Sequence, residues 1–301
     1  MNIILGNGIS ALALSELKPD FLMFSNKRNL GGQMGARFQL GPRILHHSKK
    51  VEVFLNKLGI VRDTSNFSVL YVVDDKLVPK LGGKDADTYF AKTRGVSGKN
   101  KSCINSSISY FKGYDLEEIG LLNVLKSRNI DKVIEHKILS IDLESKYIWT
   151  TSGGCKYDNL INTLDLEEFL SLVENPRIIE EYKENLRSNK KNVVFTLVSR
   201  KSKYNEIFSY KVNNFIYFVN SDIINRATFI NEEELVLESN YKISESWLNT
   251  NGLIEEDAIK TNSQIIKELK LDKFLDVELA GRYAQYDHSV KLNDIIERFS
   301  L

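Results

Sequence analysis

A short apolar run, Ile3-Ile4-Leu5, leads directly into Gly6-Asn7-Gly8-Ile9-Ser10-Ala11. That junction constrains the fold more than any other stretch of the chain. Residues 2–5 predict a strand, and Ile9 to Leu17 predicts a helix with apolar positions at Leu12, Leu14 and Leu17. Pro19-Asp20 ends the helix, and Phe21-Leu22-Met23-Phe24 predicts a second buried strand. In such a strand–turn–helix–strand unit Gly6 permits the tight turn, and Gly8 lets a pyrophosphate reach the backbone. Ala11 keeps the helix close to the sheet. The amides of the first helical turn, Ser10 included, and the helix dipole favour phosphate. The pattern predicts a dinucleotide site; the alternative is the same turn with no ligand.

The second strand of such a unit normally ends in Asp or Glu, which holds the ribose hydroxyls. Here Phe24 is followed by Ser25-Asn26-Lys27-Arg28. Ser25 offers a weaker hydrogen bond than a carboxylate, with Asn26 beside it. Lys27 and Arg28 suit a 2′-phosphate, which keeps NADP as an alternative.

Three further segments carry a resemblance. Arg28-Asn29-Leu30-Gly31-Gly32-Gln33-Met34-Gly35-Ala36-Arg37 places a second glycine turn after the second strand. It resembles the Gly-Gly segment of the amine-oxidase and UDP-galactopyranose mutase flavoproteins. In that group the segment passes along the FAD pyrophosphate and ribityl chain, which implies cofactor contacts for Gly31, Gly32, Gln33 and Arg37. Gly41-Pro42-Arg43-Ile44-Leu45-His46 is similar to the mutases' Gly-Pro-His-Ile-Phe-His, which runs beside the flavin ring. Arg43 replaces the first histidine and His46 matches the second. Near the C-terminus, Ala280-Gly281-Arg282-Tyr283-Ala284-Gln285-Tyr286 resembles the mutases' Gly-Arg-x-x-x-Tyr. The resemblance implies that Gly281 and Arg282 lie near the flavin and that Tyr286 faces substrate. Phe218 to Phe229 looks like the family strand whose arginine reaches the substrate cleft, making Arg226 the substrate-anion candidate.

The resemblance covers roughly residues 1–60, 110–170 and 205–301, and only its two ends are specific. It implies an α/β protein with an α+β substrate part. An FAD-binding Rossmann-like domain over 1-65, 110-170 and 270-301 is expected to interleave with an antiparallel-sheet substrate domain over 66-109 and 171-269. Residues 61–110 are too short for the helical insert with which the mutases grip uridine diphosphate.

Elsewhere the pattern predicts a helix over Val51 to Leu58 closed by Gly59, and a hairpin of Ser68 to Val73 with Lys76 to Pro79 turning at Asp74-Asp75. Ala91 to Ser107 reads as a long basic loop. Helices are expected over Leu116 to Ser127, Glu167 to Leu172, Ile178 to Leu186, Ile254 to Leu269 and Leu292 to Phe299. Strands are expected at Val133 to Ile134, Ile138 to Leu143, Tyr147 to Thr151, Tyr157 to Thr163, Val193 to Val198, Phe208 to Val212, Phe215 to Val219, Ala227 to Ile230, Leu235 to Ser239 and Val277 to Ala280.

Lys and Arg number 41 against 40 Asp and Glu, so no global field draws the chain to nucleic acid or membrane. No apolar run approaches the roughly 20 residues that span a bilayer. The N-terminus lacks a signal-peptide pattern, and the expected location is the cytoplasm. Cys103 and Cys155 read as reduced structural thiols, and no metal-ligand spacing is present.

Together these features predict an FAD-dependent oxidoreductase or lyase acting on a small CH–NH or CH–OH substrate. One alternative is a redox-neutral, mutase-like isomerase of a phosphate-bearing substrate held by Arg226, Arg282 and Tyr286. Another is modification of a nucleotide or nucleic-acid base, with the basic loop around Arg94 to Lys101 on phosphates. The oligomeric state leaves no sequence signal.

Overall fold

A computed structural model describes residues 1–26, 30–32, 43–94, 110–174, 182, 186, 190–208, 214–265, 269–285 and 290–300. The chain divides into two compact units. One comprises Met1–Thr64, Gly113–Ser188 and Glu268–Leu301, the other Ser65–Lys112 and Asn189–Lys267.

The first unit is built on a six-stranded sheet. Strands β1 (Asn2–Leu5), β2 (Phe21–Ser25), β7 (Val133–Glu135), β11 (Asn159–Asn162) and β18 (Val277–Leu279) run parallel, and β17 (Lys273–Phe274) adds an antiparallel edge. The order β17-β18-β11-β1-β2-β7 places β1 inside the sheet, with the later parallel strands added outward on both sides. That is a Rossmann-like topology, whose ligand crevice lies at the carboxyl ends of the strands beside the central one.

Helix α1 (Ile9–Leu17) crosses from β1 to β2. It is buried along most of its length because Ala11 and Ala13 let neighbouring elements close in. It packs against α4 (Leu121–Asn129) and α7 (Leu292–Phe299). Their apolar residues share one core with Ile4, Met23 and Ile161 of the sheet and with Val51, Phe54 and Leu55 of α2 (Lys49–Lys57). Burying such side chains contributes about 1.5–3 kcal/mol each before entropy is counted. Beneath α1, the carboxylate of Glu16 accepts from Asn129 Nδ2 at 2.8 Å and from Arg128 Nε at 3.1 Å. A three-stranded meander of β8 (Ile138–Asp142), β9 (Tyr147–Thr150) and β10 (Gly153–Lys156), and α5 (Leu166–Leu172) beside β8, complete the unit. Strand β3 (Ile44–His46) pairs antiparallel with the end of β6 (Tyr110–Asp115).

The second unit is a sheet in the order β16-β12-β15-β14-β13-β4, with β5 (Lys76–Val78) and β6 beside β4 (Ser65–Val73). The other strands are β12 (Lys190–Arg200), β13 (Asn214–Phe218), β14 (Arg226–Phe229), β15 (Glu234–Ser239) and β16 (Leu253–Ile265). Strands β12 to β16 pair antiparallel as expected, as do β4 and β5, whereas β13 and β4 pair in parallel. One face carries a core of Val72, Ile216, Phe218, Leu237 and Leu253 with Trp247 and Leu248 of α6 (Glu245–Thr250). On the other face Tyr71 and Tyr217 meet Tyr89 of α3 (Gly83–Arg94). Asp74 and Asp75 turn the β4–β5 hairpin with φ of 49° and 60°, the paired positive angles of a type I′ turn.

Several local expectations are corrected. Leu253–Ile265 is a strand, although Ile254, Ala258 and Ile265 are spaced as on a helix. The cause is tertiary. One side of β12 is covered by β15, and its other side needs partners for its backbone groups, which β16 supplies from Arg200↔Leu253 onward. The acidic run Glu255-Glu256-Asp257 suits the outer strand of a sheet, where charge discourages further pairing. Helix α3 runs on to Arg94, into the stretch read as loop, and residues 95–109 lie outside the described residues. Helix α4 starts at Leu121 rather than Leu116, because the Asp115 carboxylate accepts the amides of Glu117 and Glu118 in a preceding turn. Phe208 sits in a 3-10 turn, Glu206–Phe208. Residues 209–213 and most of Ile178 to Leu186 lie outside the described residues.

Candidate functional site

The carboxyl ends of β1, β11 and β18 converge on the start of α1. Gly6 donates its amide to Phe24 O at 2.9 Å, tying the turn to β2. Its φ of 110° excludes most side chains, and a Cβ there would collide with Thr163 Oγ1. Thr163 in turn donates its hydroxyl to Leu5 O at 2.7 Å. Ala280 N donates to Asn162 O at 2.9 Å, which brings the next residue, Gly281, onto α1. A Cβ on Gly281 would stand 3.0 Å from Ser10 Oγ.

Gly8 is the N-cap of α1, in extended backbone geometry. Among the described residues no side chain caps this helix, and no acidic residue stands in its first turn. Among the described residues, a Cβ built on Gly8 would meet nothing within 4 Å. The second glycine pair closes over the same place. Gly31 bridges Gly8 in parallel fashion and donates to Asn7 O at 2.8 Å, while Gly32 lies against the Gly8 backbone. Among the described residues, four chain segments therefore surround a helix start that no side chain caps, with open space at Gly8, which is what a phosphate group requires. Ala11 lies fully buried behind it. A pyrophosphate-bearing dinucleotide fits this cradle.

The structure thus unites Gly6, Gly8, Ser10, Ala11, Gly31, Gly32 and Gly281. Ser25 ends β2, buried to 5% exposure. The Asn26 side chain accepts the amide of Ile138 at 2.9 Å, so it braces the loop after β7. Arg282 Nε lies 3.5 Å from Val290 O, next to α7. Lys27, Gln33, Arg37 and Tyr286 lie outside the described residues.

Arg43 and His46 stand at the two ends of β3, each with its own polar partners. The Arg43 guanidinium lies 3.5 Å from Asp115 and 3.9 Å from Glu117. His46 Nε2 accepts from Lys291 Nζ at 3.1 Å. Burial, aided by the Lys291 charge, pushes the His46 pKa down to about 4, so the imidazole is neutral at neutral pH. His47 Nδ1 and the Tyr114 hydroxyl share a hydrogen bond at 3.1 Å. Asp115 and Lys291 gave no sequence signal, because each meets its partner only through strand pairing or helix packing.

In the second unit, Tyr71, Tyr217, Arg226 and Glu238 are register partners across β4, β13, β14 and β15. They form one row on one face. Arg226 is ion-paired with Glu238 at 2.7 Å. Burial opposes the Arg226 charge, but Glu238, Tyr217 and Tyr89 raise its pKa above the ordinary arginine value. Burial pushes Tyr71 up to about 12 and Tyr89 well above its usual range, so both remain phenols.

No protein-family model and no curated protein matches the chain. Solved structures do. The chain is similar to reduced UDP-galactopyranose mutase at 11% identity and TM-score 0.61, over 86% of this chain and 82% of that one. It is similar to cyclohexylamine oxidase from Brevibacterium oxydans IH-35A at 10% identity and TM-score 0.61, over 99% and 96%. It is also similar to a CLA-producing fatty acid isomerase from P. acnes at 12% identity and TM-score 0.64, over 99% and 96%. The chain has the mutase and amine-oxidase fold.

This mutase and amine-oxidase fold is the architecture that the glycine segments at both ends of the sequence imply. Among the described residues no helix is long and apolar enough to cross a membrane.

Proposed function

We propose that the chain is an FAD-dependent enzyme, an oxidoreductase or lyase acting on a small CH–NH or CH–OH substrate. The observation that carries this reading is the open, uncapped start of α1, enclosed by Gly6, Gly8, Gly31, Gly32 and Gly281. The mutase and amine-oxidase fold supports it. Bound there, the flavin supplies hydride or electron transfer. The protein's part is to hold the pyrophosphate on the α1 amides, with Ser10 and Gly281 at the helix start.

Oxidation or elimination is preferred over diphosphate isomerisation because Arg226, the substrate-anion candidate, has its charge matched by Glu238. A second anion on that arginine would have to displace a carboxylate already seated at 2.7 Å.

The test is the visible absorption spectrum of the purified protein, followed by anaerobic addition of candidate amines and alcohols. Flavin bands that bleach with a substrate in the absence of oxygen support the reading. Colourless protein that takes up no added FAD overturns it.

A further inference from the structure

The expected ribose carboxylate is missing from the end of β2, where Ser25 stands. The adjacent strand holds one. In β7, Met23, Phe24 and Ser25 pair in parallel register with Val133, Ile134 and Glu135. Register partners in a parallel pair project from the same face of the sheet, and their strands lie about 4.8 Å apart. That face is the one α1 covers. Phe21 and Met23 belong to the core under α1, and Val133 packs against it. Two residues further on, Ser25 and Glu135 share this face at the carboxyl-terminal edge, where the glycine cradle opens.

We infer that Glu135, beside Ser25 on the neighbouring strand, is the carboxylate that receives the adenosine ribose hydroxyls of the dinucleotide. This rests on the FAD reading above. Glu135 is exposed and makes no hydrogen bond or ion pair with any other described residue. Its backbone is nevertheless held firmly. His136 N donates to Ser25 O at 3.1 Å, and Ile138 N donates to Asn26 Oδ1 at 2.9 Å. The His136 ring is fixed in turn by Ser152 Oγ at 2.9 Å from its Nδ1. The end of β7 is thus fastened to the end of β2 by the strand pairing up to Glu135 and by these two bonds just beyond it. A free carboxylate on a fixed backbone suits a vicinal diol, which offers it two donors. Ser25, buried and short, suits a supporting role. The ligand class follows: a nucleotide with both ribose hydroxyls free. A 2′-phosphate would set two negative groups side by side, so Glu135 also excludes the NADP alternative raised by Lys27 and Arg28.

The test compares equilibrium binding of FAD and of its 2′,3′-dideoxyadenosine analogue to wild type and to Glu135→Gln, followed by flavin fluorescence. Loss of one charge-assisted hydrogen bond corresponds to roughly tenfold in affinity. Wild type is expected to prefer FAD by about that factor. Glu135→Gln should bind FAD about tenfold more weakly, bind the analogue as wild type does, and retain the wild-type circular dichroism. A variant that binds FAD with unchanged affinity and unchanged preference overturns the inference and leaves the flavin reading intact. Wild type that binds neither compound overturns both.

Discussion

Gly281 packs on Ser10, so a segment near the C-terminus forms one wall of the turn that opens the chain. A side chain at 281 would press on Ser10 Oγ at 3.0 Å and would hold a φ of 107°, which L-residues rarely adopt. Gly281→Ala is therefore expected to lower stability by about 1–3 kcal/mol. It should also weaken FAD retention, because the strain falls on the helix start that holds phosphate. Urea denaturation and flavin content measured on one preparation check both effects.

Gly8→Val should behave in the opposite way. Gly8 has ordinary extended geometry and, among the described residues, open space at its Cβ position. The substitution should cost the apoprotein at most about 1 kcal/mol, the loss of a tolerated N-cap residue. It should nevertheless abolish FAD uptake by filling the cradle. Thermal melting of apoprotein with and without added FAD separates these effects. A variant that still gains stability from FAD would show that the pyrophosphate sits elsewhere.

Arg226 and Glu238 invite a double-mutant cycle. Removing only the arginine leaves a largely buried carboxylate without its partner, and Arg226→Met should lose about 2 kcal/mol, somewhat less than a fully buried pair because the arginine is 31% exposed. Adding Glu238→Met should restore most of that loss. If Arg226 also serves turnover, the double variant regains stability but not kcat/KM. Denaturant midpoints and steady-state rates read the two roles separately.

His46 sets a pH dependence. Its folded pKa of about 4 lies below the ordinary value of 6.5. Between those values the unfolded chain binds a proton that the folded protein does not. Stability therefore falls as pH drops from about 6.5 toward 4 and flattens below. His46→Asn should show a smaller fall over that window than wild type, measured as the difference in Tm between pH 7 and pH 4.5.

Glu16 anchors the core under α1. It is 6% exposed and accepts from both Arg128 and Asn129. Glu16→Ala is expected to cost about 1.5–3 kcal/mol by leaving the buried Asn129 amide with one acceptor fewer. A urea midpoint shifted by less would mean that water replaces the carboxylate.

What the sequence determined by itself was the local grammar of the first unit. The apolar run, the glycine turn and Pro19-Asp20 specify β1, α1 and β2 because each signal acts within a few residues. The last helix, Leu292–Phe299, and the Asp74-Asp75 hairpin turn were legible for the same reason. Only the tertiary structure decided the rest. Leu253–Ile265 is extended because β12 had a row of backbone groups to satisfy, a demand written far away in the chain. Arg226 meets Glu238, Lys291 meets His46, and Glu135 stands beside Ser25 through register and packing. Periodicity within one segment carries no information about which residue of another segment will lie opposite, so those partners emerge only when the sheets close.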